Sequence, residues 1–173
     1  IEKDRKNIKN IIEKYITEKV RDIIEENEIT EIGIAIPGTI SNEKVIKSVN
    51  LGLKNYPIVK KLQENINLPI KIANDCRCAA IAENRYGALK KYSREVFITL
   101  GTGIGGAVII NDKVLDTGEL PGCEFGHMII QKNGLECKCG KKGCFEKYAS
   151  MKAFKDNLRK ELGLNEKARG QDL

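Results

Sequence analysis

The sequence has no tryptophan, one histidine, and aromatics at only 5% of its 173 residues. Grooves that stack nucleobases need several aromatic faces, and this chain has few to offer. Its formal net charge is +6, from 30 basic and 24 acidic residues. That surplus is spread along the chain and forms no basic arm or stripe, which argues against nucleic acid as a partner. No run of about 18 apolar residues occurs, so no membrane span is expected. The opening IEKDRK leads into no apolar stretch, so no signal peptide is expected either. A cytoplasmic chain, away from membranes, is therefore expected. In a reducing compartment its six cysteines read as thiols or metal ligands rather than as cross-links.

Against this background one segment stands out, HMIIQKNGLECKCGKKGCFE, from His127 to Glu146. Cys137, Cys139 and Cys144 fall within eight residues, and the lone histidine, His127, stands ten positions before the first of them. Four soft or borderline donors this close suffice for a tetrahedral zinc site. Gly140 and Gly143 supply the permissive backbone that a chain turning back on a metal requires. The competing reading is a set of reduced, buried thiols, although the intervening Lys138, Lys141 and Lys142 do not look like core. With four protein ligands such a zinc is structural, because no coordination position is left for a reacting water.

The length allows one sizeable core or two small ones. Residues 1–28 carry an apolar stripe, Ile8, Ile12, Ile16, Val20 and Ile24, flanked by Ile11, Tyr15 and Ile23. The period predicts an amphipathic helix packed on a sheet. EIGIAIP, Glu31 to Pro37, predicts a strand ended by the turn Pro37-Gly38. Val45–Val49 reads as a second short strand, Ile58–Glu64 as a helix, and Ile70–Ala73 as a further strand. That strand runs into Asn74-Asp75 and a helix from Cys76 to Leu89. Asp75 then stands at a strand end and a helix start together. The position suits an N-cap, and it equally suits a catalytic carboxylate facing a cleft. Cys76 and Cys78, two apart on a helix, read as core or near-surface thiols.

EVFITL, Glu95 to Leu100, predicts a strand. Gly101-Thr102-Gly103-Ile104-Gly105-Gly106 follows, then a strand Ala107–Ile110 turned by Asn111-Asp112. Converging backbone N–H groups in such a strand–glycine turn–strand unit suit a nucleotide-phosphate clamp. A tight structural hairpin is the other reading. Phe145 to Leu162 predicts a helix with Tyr148, Met151 and Phe154 on its core face.

Taken together these residues resemble the ROK family of sugar kinases and related repressors. The likeness rests on Gly33-Ile34-Ala35-Ile36-Pro37-Gly38, on Asn74-Asp75 with Ala79-Ala80 and Glu83, and on Leu100 to Gly106. It continues through Gly118-Glu119-Leu120-Pro121-Gly122-Cys123-Glu124-Phe125-Gly126-His127 and ends in the cysteine segment up to Glu146. The resemblance covers residues 30 to 150. It implies an α/β fold of the actin-like ATPase (ribonuclease H-like) type, here incomplete. Residues 1–94 would be part of the N-terminal lobe, and 95–173 the start of the C-terminal lobe with the glycine loop and zinc knuckle.

The resemblance further implies ATP-dependent phosphorylation of a hexose with Mg2+, most simply of the glucokinase kind. Asp75 would be the general base. Pro37, Gly38, Asn74, Asp75, Glu124, His127 and Glu146 would line the sugar, with His127 shared with zinc through its other ring nitrogen. Gly101, Thr102, Gly103, Gly105 and Gly106 would form the second phosphate motif. A homodimer through the zinc-bearing region is expected. The alternative is the sugar-sensing domain of a ROK repressor. The family's leading DxGGT-like phosphate loop has no counterpart in this sequence, so the chain alone is expected to be inactive as a kinase.

Overall fold

The computed structural model describes residues 7–116 and 123–164. They divide into two compact units, one from the N-terminal part through Ala82 together with Asp116, the other from Glu83–Leu115 and from residue 123 onward. Among the described residues no helix is long and apolar enough to cross a membrane.

The first unit opens with helix α1, Ile8–Glu26. Its predicted stripe, Ile8, Ile12, Ile16, Val20 and Ile24, packs on the core, while the flanking Ile11, Tyr15 and Ile23 stay exposed. Strands β1 (Ile32–Ile36) and β5 (Ile70–Asn74) pair in parallel, from Ile32 opposite Ile70 to Ile36 opposite Asn74. Between them the chain makes an antiparallel meander, β2 (Thr39–Ser41), β3 (Lys44–Ser48) and β4 (Leu53–Tyr56), and then helix α2 (Ile58–Gln63). The sequence reading found only β3 of this meander, as Val45–Val49. The β2–β3 turn uses Asn42 and Glu43, both at positive φ, as a two-residue hairpin of this twist requires. Val45, Leu53, Ile58, Val59 and Leu62 are at most 2% exposed, and they form the centre of the unit.

Helix α3, Asp75–Tyr86, follows β5 directly. It stops short of the predicted Leu89 because Glu83 ends it. The Glu83 carboxylate accepts from the Ala88 backbone N–H at 2.9 Å and fills the space where a side chain at Gly87 would lie.

In the second unit β6 (Arg94–Leu100), β7 (Ile104–Ile110) and β8 (Lys113–Val114) form an antiparallel sheet. Asn111 and Asp112, both at positive φ, turn β7 into β8 as expected. Along β6 Glu95 faces inward, whereas Val96, Ile98 and Leu100 are 61%, 48% and 63% exposed. The segment from Phe145 to Leu162 is not the single helix predicted. It is α4 (Glu146–Ala149) and α5 (Met151–Glu161), broken at Ser150, whose hydroxyl caps α5 by accepting from the Ala153 N–H at 3.1 Å. The break turns Met151 and Phe154 outward, 44% and 58% exposed, so they are not the core residues that their period suggested.

Leu62→Ala should test the first unit's core directly. Leu62 is fully buried, and truncating such a residue typically costs about 2–5 kcal/mol. Urea denaturation should show a lower midpoint with an unchanged slope.

Candidate functional site

Two sets of side chains are candidates for chemistry, one in each unit. In the first unit Gly38 follows β1 at φ 125°. A Cβ there would lie 2.4 Å from the Lys47 carbonyl oxygen, so only glycine lets the turn approach β3. The Gly38 carbonyl accepts from Asn74 Nδ2 at 3.0 Å. Asn74 Oδ1 in turn accepts from the Arg77 N–H at 3.0 Å. The capping function therefore belongs to Asn74, one residue earlier than the sequence reading placed it. Asp75, relieved of it, is the exposed first residue of α3, with Oδ1 accepting from its neighbour's backbone, Cys76 N–H, at 2.9 Å. Pro37-Gly38, Asn74 and Asp75 are thus brought together by one parallel strand pair. Cys78 lies on the same helix, its thiol raised above the ordinary range by burial and by the charge of Asp75.

In the second unit the ligand atoms of His127, Cys137, Cys139 and Cys144 all lie within 4.8 Å of one another. His127 Nδ1 is 3.6 Å from Cys137 Sγ, and Cys139 Sγ is 3.6 Å from Cys144 Sγ. Ligand atoms about 2.0–2.3 Å from one tetrahedral ion stand roughly 3.5–3.8 Å apart, so these spacings are those of a zinc shell. They are far too long for a disulfide, and none of the six cysteines is in one. The donor set fits zinc in type as well as in spacing.

The backbone holds this cluster in shape. Cys137 N–H donates to the Lys141 carbonyl at 2.9 Å, Gly143 N–H to Leu135 at 2.8 Å, and Phe145 N–H to Met128 at 2.8 Å. Gly140 and Gly143 sit at φ 95° and 79°. A Cβ on Gly143 would run into the Gln131 carbonyl.

Burial pushes the Cys137 thiol up to about 12, with its hydrogen bond to Glu146 adding to the rise against the Cys139 backbone N–H. Burial, then Cys139, also raises Cys144. Burial raises Cys139 too, but the Lys141 backbone N–H and the two neighbouring thiols outweigh it, and Cys139 ends lowered. Metal-free, the cluster holds protons that a divalent ion must displace.

The sequence reading did not foresee how Glu146 sits. Its Oε1 accepts from the Cys137 thiol at 3.2 Å and lies 3.6 Å from His127 Nδ1. Its Oε2 would be 2.7 Å from a Cβ on Gly103. The Phe125 ring occupies the space beside Gly106 in the same way. None of the glycines from Gly101 to Gly106 has a positive φ. Gly103 and Gly106 therefore admit neighbouring side chains, while Gly101 has nothing within 4 Å of its Cβ position. The Met151 N–H donates to the Gly101 carbonyl at 3.0 Å, tying the glycine loop to the start of α5. Glu124 precedes the 3-10 turn Phe125–His127 and is linked to His127 by that turn's hydrogen bond. Of the residues proposed for the sugar and phosphates, all lie among those described. Gly118 to Gly122, which contributed to the resemblance, lie outside them.

Comparison with known proteins gives a consistent picture. The family model described as ROK family matches residues 1–172. The xylose repressor of Bacillus spizizenii is 37% identical over 128 residues, 73% of this chain and 33% of that protein. The glucokinase of Streptomyces coelicolor is 35% identical over 130 residues, 74% of this chain and 41% of that protein. The crystal structure of a ROK family glucokinase from Streptomyces griseus, in complex with glucose and AMPPNP, superposes with a TM-score of 0.77 at 29% identity, over 87% of this chain and 50% of that one. The chain thus spans between a third and a half of these relatives.

One zinc per chain is expected in unchelated protein by metal analysis. Uptake should release protons and strengthen as pH rises, because the thiols must ionise to bind. Cys144→Ala should lose the metal. Hydrogen exchange should then show protection lost in residues 128–148 and kept in residues 32–72, whose core is separate.

Proposed function

The chain belongs to the ROK family, and we propose on that basis that it carries the sugar-binding and proton-accepting machinery of an ATP-dependent hexose kinase, of glucokinase type. The observation that carries the proposal is Asp75, an exposed carboxylate at the junction of β5 and α3 whose Oδ1 accepts only the adjacent Cys76 N–H among the described residues, Asn74 capping the Arg77 N–H. A sugar hydroxyl is a weak nucleophile. As it attacks the γ-phosphoryl group of ATP its proton must leave, and a carboxylate within hydrogen-bond reach takes it. In this reading Asn74, Glu124, His127 and Glu146 bind sugar hydroxyls, with Pro37-Gly38 shaping the wall. Carboxylates and amides are suited to this because each offers several acceptor or donor positions.

Gly101, Thr102, Gly103, Gly105 and Gly106 belong to the phosphate loop in this proposal, with ATP bound as its Mg2+ complex. The empty space beside Gly101, where a Cβ would meet nothing within 4 Å, leaves room for a phosphate and supports that assignment. Zinc at His127, Cys137, Cys139 and Cys144 would be structural. His127 turns Nδ1 toward the thiols, which leaves Nε2 for a hydroxyl. The proposal includes a cytoplasmic setting, which keeps the thiols reduced, and a homodimer through the zinc-bearing region. Met128, Ile129, Ile130 and Leu135 stand exposed there, and sedimentation velocity should show a dimer that Ile130→Lys weakens.

A second reading is favoured by the likeness to the xylose repressor: a sugar sensor on the same fold. Asp75→Asn separates the two. A kinase should keep hexose affinity, read by calorimetry, and lose about 10²-fold or more of its turnover, assayed on the longest polypeptide that the gene encodes. Undiminished turnover in the variant would sink the assignment of Asp75 as base. Sugar binding with no ATP-dependent product in the wild type would favour the sensor.

A further inference from the structure

Strand β6 begins with a buried carboxylate that sugar phosphorylation does not use. Glu95 is 4% exposed, and Asn84, beside it, is 7% exposed. Glu95 Oε1 accepts from Asn84 Nδ2 at 2.8 Å. The same nitrogen donates to Asp112 Oδ1 at 3.2 Å. Glu95 Oε2 is buried with no hydrogen-bond partner among the described residues. No Lys, Arg or His side chain pairs with either carboxylate among those residues.

Two carboxylates therefore share one neutral amide, and one carboxylate oxygen is buried with no partner among the described residues. An unpaired buried charge is strongly unfavourable, and an orphaned buried polar atom calls for an occupant. Three rigid points hold the arrangement within the second unit. Asn84 lies in the last turn of α3, Glu95 opens β6, and Asp112 lies in the positive-φ turn between β7 and β8. The ladder sets Arg94 opposite Ile110 and Glu95 opposite Ile109, which places that turn beside the head of β6.

We propose that Glu95 and Asp112, positioned by Asn84, form a binding site for a hard divalent cation, separate from the cysteine cluster. The donors are all oxygen, which suits Ca2+ or Mg2+ rather than zinc. Glu95 supplies the buried floor. Asp112 is exposed and supplies the entry side, where waters complete the coordination. A donor set this irregular suits Ca2+, which accepts six to eight ligands in flexible geometry, better than Mg2+, which demands an octahedron. A bound ion would pin the end of α3 to the β7–β8 turn.

The test is calorimetry and thermal denaturation of the zinc-loaded, nucleotide-free 173-residue chain with CaCl2, then MgCl2. One saturable site and a Ca2+-dependent rise in Tm are expected. Asp112→Asn, on an exposed turn, should lower the affinity at least tenfold, and Glu95→Gln should abolish the Ca2+-dependent rise. Should Glu95→Gln fail to fold, Asp112→Asn decides alone. No binding of either ion up to about 10 mM, which lies beyond the weakest ordinary protein Ca2+ sites, overturns the proposal. So does an Asp112→Asn affinity within tenfold of the wild type.

Discussion

The second unit gathers four potential ligand atoms, those of His127, Cys137, Cys139 and Cys144, within 4.8 Å of one another. Its buried apolar residues among those described are Ile104, Ala107, Ile109, Cys137, Cys144 and Ala153, few and mostly small. The first unit buries Val45, Leu53, Tyr56, Ile58, Val59, Leu62, Ile66 and Ile70 with Ile36. A core as thin as that of the second unit provides little stabilisation. Met128, Ile129, Ile130 and Leu135 lie around the cluster with their side chains out. Backbone hydrogen bonds shape the loop, but each contributes only about 1 kcal/mol net. A metal bound to three thiolates and an imidazole would contribute far more, and without bulk. With a metal bound, the cysteine segment would act as the unit's second core.

The constraint spreads from there to the glycine loop. Cys144 is followed within two residues by Glu146, whose carboxylate touches the Cys137 thiol on one side and excludes any Cβ from Gly103 on the other. Six residues past Glu124, Ile130 pairs back on Gly143, while Phe125 lies over Gly106. Met151, just after the cap Ser150, donates to the Gly101 carbonyl. The loop is thus gripped by the same stretch of chain that wraps the cysteine cluster. A glycine-rich loop is usually explained by the conformations that glycine permits. At Gly103 and Gly106 the explanation is the room that glycine leaves.

The sequence made a good part of this legible, for identifiable reasons. The α1 stripe, the strands β1, β5, β6 and β7, and the hairpin at Asn111-Asp112 all follow from periodicity and turn chemistry acting locally. The metal cluster was legible because its donors are rare residue types at short spacing. The β2 and β4 strands were missed because each is only three or four residues long, too short for a period to register. The break at Ser150 was missed because the apolar spacing runs across it, whereas the serine's competition for a backbone N–H is decided locally by geometry. Glu95 could not be told from a solvated strand end, because nothing in EVFITL reveals what covers its inner face. The shift of the cap from Asp75 to Asn74 is a one-residue matter of backbone angles, which no residue pattern specifies.

That one-residue shift bears on function. An asparagine amide has two donor hydrogens and two acceptor lone pairs. At Asn74 one donor goes to the Gly38 carbonyl and one acceptor to the Arg77 N–H. One of each remains for a ligand, in an orientation already fixed by the two that are spent. The residue can therefore recognise a hydroxyl while holding together the Pro37-Gly38 turn and the start of α3. Asp75, by contrast, bonds among the described residues to its neighbour's backbone alone, Oδ1 accepting from the Cys76 N–H. A binding module needs the first arrangement alone. A fixed recognition amide next to a carboxylate with spare acceptor capacity suits proton transfer from a bound hydroxyl, and this pairing is the ground on which the kinase is proposed ahead of the sensor.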